Sequence, residues 1–197
     1  MPPSATADRL LVAAKELFAQ SGYEHTSTAA IARRAGTSES QLMRHFGGKR
    51  GLLNAIFDSG WAALNAQIAR RLAKTPDPIA AIEMVLATII EGLQKDQDLA
   101  YLLLFEGRRI REPGLKLDLS HGYQEFVRLL IGLIRKAQED KVISREISTA
   151  ALASALMGAA EGMFRDRMMA KLSGKPQPFS RSQVTTVFGR VLRAVRE

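Results

Sequence analysis

The chain has 197 residues, no cysteine and a formal net charge of +8. That length supports a hydrophobic core in one or two helical domains, and the missing thiols exclude disulfides and thiolate metal sites. The positive charge suits a polyanionic partner but is uneven: +3 over residues 1–50, −1 over 51–140 and +6 over 141–197. We assign the C-terminal excess to a solvated helix face. The start, MPPSATADRL, has no basic-then-apolar leader pattern, and the longest uncharged stretch, Ile147 to Ala160, is shorter than the roughly 18 to 20 apolar residues of a bilayer crossing. A soluble cytoplasmic protein with no membrane partner is expected.

The first predicted helix, about Ala7 to Gln20, sets Leu10, Ala14, Leu17 and Phe18 on one side, the spacing of a stripe facing a core. Ser21-Gly22 ends it. Ser27 is a natural N-cap for a short helix that carries Ile31 and Ala35 four apart and stops at Gly36. Ser38-x-x-Gln41 then has capping-box spacing, with the Ser38 hydroxyl reaching the Gln41 amide while the Gln41 side chain reaches back. The helix so opened runs from Glu39 to Phe46, where Gly47 and Gly48 end it. Its only strong apolar pair is Leu42 and Phe46, so Ser40, Gln41, Arg44 and His45 face outward. A short polar helix behind a glycine turn fits a major groove; an ordinary surface helix has the same pattern, and these residues alone leave both readings open.

The order of residues from Leu10 to Leu53 resembles the DNA-binding domain of the TetR family of bacterial transcriptional repressors. The features that carry the resemblance are the AAKELF helix ending in SGY, the T-S pair before the next helix, IA followed by AG, then S, L, HF and a lysine three residues beyond. It implies an all-α fold of about nine helices: a three-helix helix-turn-helix DNA-binding domain over residues 1–50, then a helical ligand-binding and dimerisation domain over 51–197. The hydroxyls of Thr26, Ser27 and Thr28 are then expected near phosphate. Thr37, Ser38, Glu39, Ser40, Gln41, Met43, Arg44 and His45 would lie at the groove and Lys49 on the backbone, with Arg33, Arg34 and Arg50 adding charge. Met43 stands where the family commonly has tyrosine, and Ala29-Ala30 where it is often polar.

Lys49 opens a long helix, to about Lys74, on which Leu53, Phe57, Leu64 and Ile68 repeat. Gly60 within it costs about 1 kcal/mol against alanine, so it either admits a close neighbour beside Trp61 or is tolerated slack. Thr75-Pro76-Asp77-Pro78 breaks the chain before a helix over Ile79 to Gln94 that is apolar on most sides. Helices follow over about Asp98 to Arg109 and, after the Glu112-Pro113-Gly114 turn, over about Leu117 to Asp140. Phe57, Trp61, Met84, Tyr101, Phe105, Tyr123 and Phe126 are candidates for an apolar ligand pocket, with His121 and Glu161 as polar anchors; plain core is the commoner role for such apolar residues, and a loop position for a lone histidine beside a glycine.

In the helix from about Thr149 to Leu172, Ala151, Ala155, Gly158 and Gly162 form a stripe of small residues. Ser180-x-x-Gln183 caps the last helix, on which Val184, Val187, Phe188, Val191 and Val195 repeat. The pair suits a four-helix interface between two chains or the closure of a single core; the resemblance implies the dimer. Two reading helices one turn of duplex apart, about 34 to 36 Å, require an approximately palindromic operator. The expectation is a homodimeric repressor released from double-stranded DNA by a small apolar or amphipathic effector. A DNA-binding adaptor that recruits a protein partner is the alternative. His25, His45 and His121 are scattered and no metal-ligating or phosphate-cradling motif occurs, so no catalytic, metal or cofactor site is expected and an enzyme is a remote alternative.

Overall fold

The computed structural model describes residues 5–106 and 120–195. Nine α-helices account for most of them and no strand occurs among the described residues: α1 Ala5–Ser21, α2 Thr28–Arg34, α3 Glu39–Phe46, α4 Lys49–Leu72, α5 Pro78–Lys95, α6 Gln97–Tyr101, α7 His121–Glu139, α8 Thr149–Leu172 and α9 Arg181–Ala194. None of the described helices is long and apolar enough to cross a membrane.

The chain separates into two compact units, Met1–Ala62 with Asp96–Gly122, and Ala63–Lys95 with Tyr123–Glu197. In the first, the predicted stripe of α1 turns inward: Leu10, Ala14 and Phe18 are fully buried against Ile31, Leu42 and Leu52. Tyr23 leans on Phe18 with ring centroids 5.1 Å apart. Leu99 and Leu102 complete this core, and Gly60 is what lets Leu99 in, since a Cβ there would lie 2.5 Å from Leu99 Cδ2. Gly60 therefore serves close approach. Asp96 joins α6 to α1, its Oδ1 accepting the Leu99 amide at 3.0 Å and its Oδ2 the Lys15 ammonium at 2.6 Å. Burial holds the neighbouring Asp98 carboxyl above its usual range; Lys15 draws it down, and Asp96 and Glu16 push it up.

In the second unit α5 is the buried centre its composition foretells, with Ile82, Val85, Leu86 and Thr88 inside, and it packs on α8 and α9. Leu64 of α4 lies over Gly92, where a Cβ would sit 2.2 Å from Leu64 Cδ2. The buried Gln138 pins the α7–α8 connection: its Nε2 donates to the Ser144 and Ile147 carbonyls at 3.0 and 2.8 Å, and its Oε1 accepts from Thr149 Oγ1 at 2.6 Å. Every hydrogen-bonding group of that amide within reach of the turn is used, which is what a buried glutamine requires.

One expectation about the helices needs adjustment. The single helix foreseen from Asp98 is instead the short α6 followed by one π-helical turn, Leu102–Glu106. Helical periodicity cannot reveal such a widening inside the uniformly apolar run Leu102-Leu103-Leu104-Phe105. The Glu112-Pro113-Gly114 turn, the end of that predicted helix and the first residues of the helix predicted from Leu117 lie outside the described residues.

Candidate nucleic-acid interface

The turn between α2 and α3 is built from local capping. Ser27 Oγ accepts the Ala30 amide at 3.1 Å, Gly36 takes the left-handed conformation (φ +62°), and Ser38 Oγ accepts the Gln41 amide at 3.3 Å. Gly47, at φ +68°, ends α3 as a left-handed C-cap whose amide bonds the Met43 carbonyl. Ile31 and Leu42 anchor the two helices in the core without exposure. With Leu42 inward, Glu39, Ser40, Met43, Arg44 and His45 are left in solvent and Gln41 half-buried.

The expected capping box is only half made. Ser38 caps the helix, but Gln41 does not reach back: its Oε1 accepts from Arg44 Nη2 at 2.6 Å. A guanidinium three residues on offers a charge-assisted bond, stronger than one to a neutral amide, and it wins the carbonyl oxygen. Gln41 and Arg44 thus form one oriented pair on the exposed face. A second link crosses the turn, with Thr28 Oγ1 donating to Glu39 Oε2 at 2.6 Å. Ser38 and Ser40 hydroxyls lie 2.8 Å apart.

The other residues named from sequence fall as follows. Thr26 is 4% exposed and its hydroxyl is committed inward, to the Gly22 and Leu17 carbonyls. Ser27 and Ser38 are exposed caps, Thr37 half-buried, and Met43 is 52% exposed. Lys49 donates to the Tyr23 and Glu24 carbonyls at 2.9 and 3.3 Å, with its ammonium 4.6 Å from the centre of the Tyr23 ring. It ties the α1–α2 loop to the start of α4, and among the described residues one of its three donors is left over. No spacing rule reveals this tie, because the partners are 26 residues apart. Arg34 is paired with Glu16 at 2.8 Å, and Arg33 and Arg50 are exposed.

Of the candidate pocket residues, Phe57, Trp61, Tyr101 and Phe105 belong to the first unit and Met84, Tyr123 and Phe126 to the second. Phe57 and Tyr101 pack against the first core, and Trp61 and Phe126 are buried. His121 is exposed and Glu161 half-buried. On α8, Ala151, Ala155 and Gly158 are exposed and Gly162 half-buried. On α9, Val184 and Phe188 turn into the second core, while Val187 and Val191 remain 41% exposed each. A residue that sequence reasoning passed over is Gln94: both atoms of its side-chain amide are buried and, among the described residues, meet no hydrogen-bonding partner.

Comparison with known proteins converges on this assembly. Residues 10–56 match the family model described as bacterial regulatory proteins, tetR family. Over 167 residues the chain is 27% identical to the HTH-type transcriptional regulator UidR of Escherichia coli (strain K12), covering 82% of this chain and 81% of that one. Over 179 residues it is 22% identical to the nucleoid occlusion factor SlmA of Marinomonas sp. (strain MWYL1), covering 91% of each. Its fold is also that of the transcriptional regulator FadR from Bacillus subtilis solved in complex with stearoyl-CoA, with a TM-score of 0.81 at 15% identity over 96% of this chain and 99% of that one. Residues 10–56 are thus a DNA-binding domain of the tetR type, and the chain reads as a DNA-binding transcriptional regulator of that type rather than an enzyme.

Proposed function

We propose that the protein is a cytoplasmic homodimeric repressor whose two α3 helices read a palindromic operator, and that a small amphipathic effector releases it. The observation that carries the dimer is the apolar surface left open on α8 and α9. Ala151, Ala155 and Gly158 lie beside no bulky cover, a Cβ at Gly158 would meet nothing within 4 Å, and Val187, Val191, Met169 and Leu172 are 41%, 41%, 47% and 62% exposed. A surface of small and aliphatic side chains of this kind favours burial against a second helix pair. We assign DNA binding to residues 1–50 and regulation to 51–197. The packing of α6 and the π-helical turn on α1 supports a direct grip of the regulatory segment on the reading unit.

Gln94 supports the effector. A buried amide without partners costs about 1 to 3 kcal/mol, and a ligand carbonyl or hydroxyl would relieve that cost. An acyl thioester is the class we favour, by likeness to the FadR complex with stearoyl-CoA. Effector binding shifts the protein between states only by its differential affinity for them. The test begins with selection of a site from random duplexes by the full chain, followed by titration of the DNA complex with stearoyl-CoA and by sedimentation. A dimer that holds a palindrome and releases it on stearoyl-CoA, with release blunted by Gln94→Leu, supports the reading; a monomer without sequence preference overturns it. The likeness to a nucleoid occlusion factor favours a second reading, a DNA-bound adaptor for a protein partner. A specific complex insensitive to stearoyl-CoA and to a panel of other acyl thioesters would favour it.

A further inference from the structure

We propose that Glu39 is a specificity-determining residue that selects cytosine in each operator half-site, an assignment that rests on the reading of α3 as the groove-entering helix. Glu39 lies in the first turn of α3 and is exposed. It is a carboxylate among exposed cations of the same two helices, Arg44 and His45 on α3 and Arg33 on α2. Next to phosphate such a group is repelled. The one edge of B-DNA that suits it is the major-groove edge of cytosine, which offers the N4 amine as donor. Guanine presents only acceptors there, and adenine sets its N7 acceptor beside its amine.

The carboxylate is also held in advance. Thr28 Oγ1 donates to its Oε2 at 2.6 Å across the α2–α3 turn, which fixes the side-chain rotamer and leaves Oε1 for a base. Pre-ordering of this kind removes part of the entropy cost of binding. Two residues on, the Gln41–Arg44 pair at 2.6 Å holds an exposed guanidinium, the donor fork suited to guanine O6 and N7, on the same helix. One half-site therefore offers a cytosine amine to Glu39 and a guanine edge to Arg44. A carboxylate at a helix N-terminus also favours the helix dipole, so stability alone is no evidence of readout. The discriminating quantity is base preference.

The experiment is selection of binding sites from a random duplex library by full-length protein, for the native chain, Glu39→Gln and Glu39→Ala, with each protein's melting curve as a folding control. Glu39→Gln keeps the shape and the Thr28 bond. It is expected to exchange cytosine for adenine at one symmetry-related pair of positions and leave the rest of the site unchanged. Glu39→Ala should lose about 5- to 100-fold of discrimination at that pair alone. If instead Glu39→Ala binds all duplexes more tightly and its selected site is unaltered, the carboxylate is merely tolerated beside phosphate and the assignment fails. A native protein that enriches no site overturns both the assignment and the DNA-reading it rests on, whereas an enriched site indifferent to Glu39 overturns the assignment alone.

Discussion

Both α3 and α9 open on the same four-residue pattern, Ser-x-Ser-Gln, at Ser38–Gln41 and Ser180–Gln183. In both, the two serine hydroxyls lie 2.8 Å apart and the first accepts the glutamine amide, at 3.3 and 3.2 Å. Only α9 closes the box: Gln183 Oε1 returns to the Ser180 amide at 2.6 Å, while Gln41 Oε1 is taken by Arg44. The residue three positions past the glutamine, Arg44 in one helix and Thr186 in the other, accounts for the difference. In α9 the glutamine is spent on its own helix end, whereas in α3, the helix proposed to meet DNA, it is lent to an exposed arginine beside it.

The largest effect should separate the two glutamines. Gln41→Ala removes the brace of Arg44 and is expected to cost about 1 to 3 kcal/mol in binding to the selected operator, with relaxed preference at one base position and little change in melting temperature. Gln183→Ala should leave base preference intact. Fluorescence anisotropy against matched and single-substituted duplexes, with melting curves on the same samples, measures both. Equal losses of discrimination from the two variants would dissolve the contrast.

Next comes the shared element, the serine cap. Ser180→Ala removes the hydroxyl half of the box, leaves the Gln183 return to the residue-180 amide, and should lower stability by about 1 kcal/mol, or roughly 2 to 4 °C for a chain of this size. Ser38→Ala should cost about the same, since Gln41 already contributes nothing to that end. A much smaller loss at Ser180 would mean that the returning glutamine supports the helix unaided.

What could be read beforehand follows the range of the interactions concerned. Helix starts at Thr28, Glu39 and Arg181 were legible because a cap uses partners within three residues, and the turn glycines Gly36 and Gly47 because a positive φ leaves few alternatives. The destination of Gln41 was not, although its partner is also near, since spacing permits two acceptor–donor pairings and only charge decides between them. The Lys49 tie to Tyr23, the Thr28–Glu39 bridge and the entry of Leu99 at Gly60 join segments that periodicity treats separately. The division into compact units is harder still, because α4 and α7 each contribute to both. Val184 and Phe188 share a repeat with Val187 and Val191, and a stripe that reads as one face in sequence divides between core and surface.

The smallest effect tests the proposed cause directly. Thr186→Arg gives α9 the arginine that α3 has, at an exposed position where a longer side chain meets no core. If a guanidinium three residues on is what diverts Gln41, the same group should draw Gln183 from the Ser180 amide. Arginine also has the better helix propensity, by up to about half a kcal/mol, which would mask the loss, so the comparison is with Thr186→Met, which shares that gain without a donor. The position lies beyond the first turn, where the helix dipole acts weakly on a charge. Denaturant unfolding should then place Thr186→Arg a few tenths of a kcal/mol below Thr186→Met. Equal stability would show that the amide of Ser180 holds its glutamine against a guanidinium, and that something beyond Arg44 keeps Gln41 away from Ser38.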